Sequence, residues 1–354
     1  MFAITRLASG LVSGKLVERF GERFVLGSGL FMVAFFVFLT GLAQSYEQLL
    51  LLRAAGGLGS SMFSVASSSL VIRMTSDDKR GRAQSVTTGG FLVGGIAGPA
   101  FGGALIAFSP RAPFFIYSVT LTLAGLTGLI FLSEQRMGKK DEPIHLLPAT
   151  TIREAFGIKA FRYALIMTFL TSWILFGVRS SILPLYVIQD LGGTTTLVGI
   201  GFTVSALAQG LILIRAGKFS DSAGRKKALS IGFIFIACGI TTLILAQSIW
   251  FYLVAMLFLG IGGAYGNTGA ALVGDVIKGR SGRVIAVFQM AGDAGMMVGP
   301  ILLGFVSDLS NYRTSLIVSA LAFSVALFLV IDLPETRDLQ NKSGSAPRIG
   351  EEPL

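Results

Sequence analysis

Charge is scarce in this sequence. Of 354 residues, 14% are Asp, Glu, Lys or Arg, against about 25% in an average soluble domain. Sulfur and imidazole are scarcer still. Cys238 is the only cysteine, which excludes a disulfide within the chain and a thiolate metal cage. His145 is the only histidine. It sits in a polar stretch with no partner at metal-ligand spacing and reads as a solvated loop residue. The sequence has no H-E-x-x-H, no Walker loop and no G-x-S-x-G. These absences exclude the common metalloprotease, nucleotide-hydrolase and serine-hydrolase signatures. The chain is expected to be no enzyme, to hold no metal and no cofactor, and to carry no ATP-driven pump domain of its own.

What is present is apolar. Hydrophobic residues make up 53% of the chain and the mean hydropathy is +0.74. Residues 24–43, 83–108 and 228–246 contain no charge at all, and roughly 20 apolar residues suffice to cross the hydrocarbon core as a helix. Eleven spans are expected: 1–13 (partial), 24–43, 49–73, 83–108, 113–132, 161–188, 196–215, 228–246, 249–276, 284–306 and 314–332. The net charge of +10 follows this topology. Twenty-four Lys and Arg residues fall in alternate connections on one side, two (Arg111 and Arg313) on the other, and three (Arg6, Arg53 and Arg179) inside spans. That bias places the basic side in the cytoplasm. It makes the lipid bilayer the partner and argues against nucleic acid. Residues 1–132 and 161–332 read as two bundles. Residues 133–160 read as a cytoplasmic linker, and 333–354 as a disordered tail.

The halves repeat one another. Gly14-Lys15-Leu16-Val17-Glu18-Arg19-Phe20-Gly21-Glu22-Arg23 recurs 203 positions later as Gly217-Lys218-Phe219-Ser220-Asp221-Ser222-Ala223-Gly224-Arg225-Lys226. Gly81-Arg82 is matched by Gly282-Arg283, and the stretch from Gly94 to Pro99 by that from Gly295 to Pro300, both at an offset of 201. Parallel repeats of this kind build a central site between two halves.

These residues also carry a resemblance. The first decapeptide is similar to the signature loop of the major facilitator superfamily, with Glu18 where that family usually has Asp. Arg53, Gly57 and Gly59 resemble the R-x-x-x-G-x-G of its fourth helix. Gly94, Gly98, Pro99, Gly102 and Gly103 resemble the fifth-helix G-x-x-x-G-P-x-x-G-G of proton-coupled drug antiporters. The resemblance implies an all-α polytopic membrane protein with the major facilitator fold and two pseudo-symmetric bundles. Eleven of the usual twelve transmembrane helices are expected. By the repeat, Met1 corresponds to Val204, whereas the second half begins near Phe161, so about 43 residues, including a first helix, are expected to be missing.

Roles follow from chemistry. Glu18 and Asp221, with Arg19, Arg23, Arg225 and Lys226 around them and Gly21 and Gly224 at the turns, are expected to latch the cytoplasmic gate through arginines of neighbouring spans. A topology signal of solvated charges is the plainer alternative. Gly94, Gly98 and Gly102 share one helix face on which another helix can pack, and Pro99 is expected to bend that helix. Charges inside spans are costly and therefore informative. Asp293 is the expected proton carrier, because burial favours its neutral form and a nearby arginine its charged form. Arg53 or Arg179 is expected to supply that arginine, and Arg179 and Arg6 to line a substrate cavity. A hydrogen-bonding role for Asp293 between helices stands beside the coupling role.

The resemblance points to a monomeric, proton-coupled exporter of small organic molecules in the plasma (bacterial inner) membrane. Its partners would be a small-molecule substrate and protons. An uptake symporter for a sugar or metabolite is the first alternative, and a non-transporting fragment or sensor-like paralogue the second. Arginines in the cavity favour an anionic or polar substrate; the sequence goes no further on its identity.

Overall fold

A computed structural model describes residues 1–76, 79–106, 109–131, 149–266, 268–279 and 281–336. Regular structure among them is helical. The first half holds α1 (Phe2–Phe20), α2 (Glu22–Leu42), α3 (Tyr46–Met74), α4 (Arg80–Ile106) and α5 (Ala112–Phe131). The second holds a short α6 (Ile152–Gly157), then α7 (Lys159–Ser172), which widens into π-helical turns over Trp173–Ile182 and continues as α8 (Leu183–Gln189). After it come α9 (Thr195–Ala223), α10 (Arg225–Ile244), α11 (Ile249–Gly266), α12 (Thr268–Val276), α13 (Gly282–Leu309) and α14 (Tyr312–Ile331).

Nine stretches among the described residues are long and apolar enough to cross a membrane, with α7 to α8 and α11 to α12 each counted as one. The first expected span differs from these. Helix α1 carries Arg6, Lys15, Glu18 and Arg19 within 19 residues. The outer surface is apolar: Phe328, Leu211 and Ile331 are 73%, 72% and 69% exposed. Side chains of this kind covering a whole helical bundle need lipid as their solvent.

The expected signature loops are helical almost throughout. Helix α1 continues through Gly14 and Glu18 to Phe20, and α9 through Gly217 and Asp221 to Ala223. One glycine breaks each: Gly21 at φ +83° and Gly224 at φ +108°, a region costly for any residue with a Cβ. The sharp reversal puts Glu18 and Asp221 on rigid helix ends rather than on mobile loops.

The repeat is physical. A Cβ on Gly59 would lie 2.6 Å from the carbonyl oxygen of Gly29, so α2 and α3 meet backbone to backbone. Likewise, 203 positions on, a Cβ on Gly262 would lie 2.7 Å from the carbonyl oxygen of Gly232, where α10 meets α11. Close approach through small residues is how helices associate where lipid supplies no hydrophobic drive.

Two expected boundaries move. Residues 133–160 do not all behave as a linker. Thr151 accepts from the Glu154 amide and Glu154 from that of Thr151, a capping box that starts α6. Thr150 binds Ser281 and Lys278 of the second half. Residues 333–336, expected within the tail, are packed on the bundle: Leu333 and Thr336 are each 1% exposed. Just before them, Asp332 accepts from the Lys159 ammonium and the Tyr163 hydroxyl, which hold its carboxyl below the usual range. His145 and residues 337–354 lie outside the described residues.

Candidate functional site

The two halves touch along two crossed seams, α1 with α13 and α4 with α9. At the basic end each seam closes through a glycine. A Cβ on Gly14 would lie 2.8 Å from the Gly282 carbonyl oxygen, and one on Gly217 2.7 Å from that of Gly81. The helix N-termini so brought near carry unsatisfied amides and a partial positive charge. An acid from the opposite half meets each. Glu18 accepts from the Arg283 amide at 2.9 Å and from its Nε at 2.8 Å, at the start of α13. Asp221 accepts from the amides of Gly81 at 2.7 Å and Arg82 at 2.9 Å, at the start of α4. The acids expected to latch the gate therefore bind backbone at helix ends as well as arginine.

The two clasps differ in depth. The Arg283 side chain is 53% exposed, whereas Asp221 also accepts from Arg225, which is wholly buried, at 2.6 Å. Arg225 in turn binds Asp275 at 2.8 Å, and Asp275 accepts from Arg80 at 3.2 Å. Glu335 accepts from the amides of Arg225 and Lys226 and so caps α10. The first half repeats this contact with its charges reversed. Glu22, 203 positions before Arg225, binds Arg73, 202 positions before Asp275, at 2.6 Å, and Ser69 donates to Glu22. Asp275, Arg80, Glu22, Arg73 and Glu335 were not among the expected site residues. The repeat offset alone pairs Glu22 with Arg225, but opposite charges at matched positions hide the match from a motif. Of the remaining loop residues, Arg23 binds the Leu129 carbonyl through Nε at 2.9 Å and Lys226 that of Ile331 at 2.6 Å. Arg19 is exposed beside the Phe20 ring.

Exposed ion pairs contribute about 0–1 kcal/mol, whereas removing one partner of a buried pair costs about 3–5 kcal/mol. Asp221→Asn is therefore expected to lower transport at least fivefold at equal membrane abundance. Glu18→Gln should lower it less than twofold. Equal effects in a flux assay would reject the difference in depth.

Deeper along the α1–α13 seam, Asp293 stands eleven residues into α13, about 16 Å from its start at the rise of a helix. Its partner is Arg6 of the other half: Nε donates at 3.1 Å and Nη2 lies at 2.9 Å. Arg6 Nη1 donates to Ser60 of α3 at 2.7 Å. Asp293 is 7% exposed. A lone charge at such depth costs about 2.5–3.5 kcal/mol on insertion scales, and here each charge carries the other. This corrects one expectation: the arginine beside Asp293 is neither Arg53 nor Arg179 but Arg6. Arg53 lies over the Phe2 ring, 5.2 Å from its centroid.

The expected packing of the α4 glycine face is also revised. Among the described residues, nothing lies within 4 Å of a Cβ placed on Gly94, Gly95 or Gly98. Their counterparts Gly295 and Gly299 pack on Phe169, Trp173 and Gly177 of the span that begins at α7. Among the described residues, no helix covers on α4 the face that this span covers in the second half. Helix α4 runs through Pro99, Gly102 and Gly103, whose surroundings lie outside the described side chains.

The family model described as Major Facilitator Superfamily matches residues 1–194 and 164–351. The chain is 27% identical over 340 residues to the "Multidrug resistance protein MdtG" of Dickeya zeae, covering 93% of this chain and 82% of that one. It is 29% identical over 344 residues to the protein of the same name from Citrobacter koseri, covering 94% and 82%. Among solved structures, the proton:xylose symporter XylE superimposes with a TM-score of 0.74 at 16% identity, over 96% of this chain and 87% of that one. At that identity the likeness bears on the fold alone.

Proposed function

The chain belongs to the major facilitator superfamily, and from that premise we propose that it is a proton-coupled exporter of small organic molecules, working by alternating access in the plasma (bacterial inner) membrane. The observation that carries this reading is the Arg6–Asp293 pair, a buried acid and a half-buried arginine contributed by opposite halves. Protonating Asp293 removes the attraction that ties α1 to α13 at depth; losing the proton restores it. A bond between halves that depends on one proton links protonation to rocking of the halves. The crossed clasps at Glu18 and Asp221 close the basic, cytoplasmic end in the same state. Further support comes from the relatives named for multidrug resistance. Nine stretches suited to crossing the membrane, with α1 and α4 beside them, are compatible with eleven transmembrane helices.

The test uses inside-out membrane vesicles acidified by respiration, with a panel of fluorescent organic anions, cations and neutral compounds. An exporter accumulates at least one of them in the acid lumen, and a protonophore releases it. Expulsion from the lumen on acidification makes the protein an uptake symporter instead. No movement of any compound in either direction removes the transport reading.

A further inference from the structure

Of the four charges expected within spans, Arg6 and Asp293 pair with each other and Arg53 stacks on Phe2. Arg179 has a different setting. It stands on the π-helical turns, ten residues before Gln189 and so about 15 Å from that end of the span. A position at such depth lies within the hydrocarbon, where an unneutralised cation is costly and marks function. The Arg179 guanidinium lies over the Phe202 ring of α9, 5.4 Å from its centroid. Its Nε is buried without a hydrogen-bond partner. Among the described residues, no carboxylate forms an ion pair with it.

The local backbone aims this side chain. Gly177 abuts Gly299, where a Cβ would come within 2.9 Å of the Gly299 carbonyl carbon, and Val178 is wholly buried. That face is thereby locked on α13, and Arg179 is turned to α9. π-Helical turns persist chiefly where a functional geometry needs them. On α9, Ser205 follows Phe202 by one turn but is wholly buried against Gly260 of α11. Tyr252 of α11 donates to the Val198 carbonyl at 2.9 Å. Arg179 and Phe202 thus present a guanidinium N–H with open donor capacity beside an aromatic face, with no acid paired to the guanidinium among the described residues.

We infer that Arg179 is the docking point for an anionic group on the transported molecule, so that the substrates are organic anions with an apolar body. The inference rests on the transport reading above. A guanidinium suits planar oxyanions such as carboxylate and sulfonate, and Phe202 suits an apolar body beside them.

The test compares 1-naphthalenesulfonate, its neutral sulfonamide and trimethyl(1-naphthyl)ammonium in proteoliposomes under a pH gradient. The wild type is expected to move the sulfonate fastest. In Arg179→Gln the sulfonate-to-sulfonamide rate ratio is expected to fall about tenfold or more, the loss of a charged hydrogen bond. Arg179→Lys, which keeps the charge, should hold an intermediate ratio. An unchanged ratio in Arg179→Gln, with all rates intact or all lowered together, overturns the assignment. So does a wild type that prefers the ammonium, or one that moves other compounds but none of these three. A wild type that moves nothing defeats the transport reading instead. Quenching of protein fluorescence by 1-naphthalenesulfonate then decides: binding lost in Arg179→Gln upholds the anion site, and binding that is absent or unchanged overturns it.

Discussion

Asp293→Asn is expected to abolish pH-gradient-driven accumulation of substrate, a loss of at least tenfold, while downhill exchange continues. Asparagine keeps the shape of the side chain and can still bond to Arg6, but it cannot take up or release a proton. If Asp293 carries the coupled proton, the variant retains substrate movement and loses its link to the gradient. A structural role makes a different forecast. Leaving the half-buried Arg6 opposite a neutral group costs up to about 3–5 kcal/mol, and all modes of transport then fall together with membrane abundance. The double variant Arg6→Gln/Asp293→Asn separates the cases. It removes both charges, should recover abundance, and should still show no response to the gradient. Measurement of exchange and gradient-driven uptake in the same vesicles decides. An Asn variant that still concentrates substrate with the wild-type pH dependence assigns the proton to another group.

Arg225→Met is expected to be the most destabilising single substitution at the basic end. Arg225 is wholly buried between Asp221 and Asp275, at 2.6 and 2.8 Å. Methionine fills much of the volume but removes the cation shared by two carboxylates, leaving Asp221 with its amide donors and Asp275 with Arg80. Removing one partner of a buried network costs about 3–5 kcal/mol. The thermal midpoint of the purified protein in detergent should fall clearly below that of Glu18→Gln, whose pair is partly exposed. Adding Asp275→Asn should recover part of the loss, with a coupling of about 0.5–3 kcal/mol. Effects that simply add would mean the two residues do not share a network.

Several features were legible because they need only local rules. Charge-free runs of about 20 residues mark spans whatever they pack against. Gly21 and Gly224 mark turns because their backbone conformation is open chiefly to glycine. Charges inside apolar runs stand out because each is costly there, which brought Asp293, Arg6, Arg53 and Arg179 forward. What failed was pairing. Arg6 and Asp293 lie 287 positions apart, and nothing in either segment distinguishes Arg6 from Arg53 as the partner. The π-helical turns at Trp173–Ile182 also escaped, since an apolar run reads alike with 3.6 or more residues per turn.

The sequence by itself determined the membrane class, the doubled architecture and the list of charges that require explanation. It did so because hydropathy, glycine conformation and repeat spacing act within a single segment. Only the tertiary structure decided which charge neutralises which, that the signature acids cap helices of the opposite half, and that Arg179 meets an aromatic ring rather than an acid. Those outcomes depend on how helices from distant parts of the chain rotate and slide until their small residues meet. A shift of one residue turns a helix by about 100°, enough to exchange one partner for another while leaving every local pattern intact.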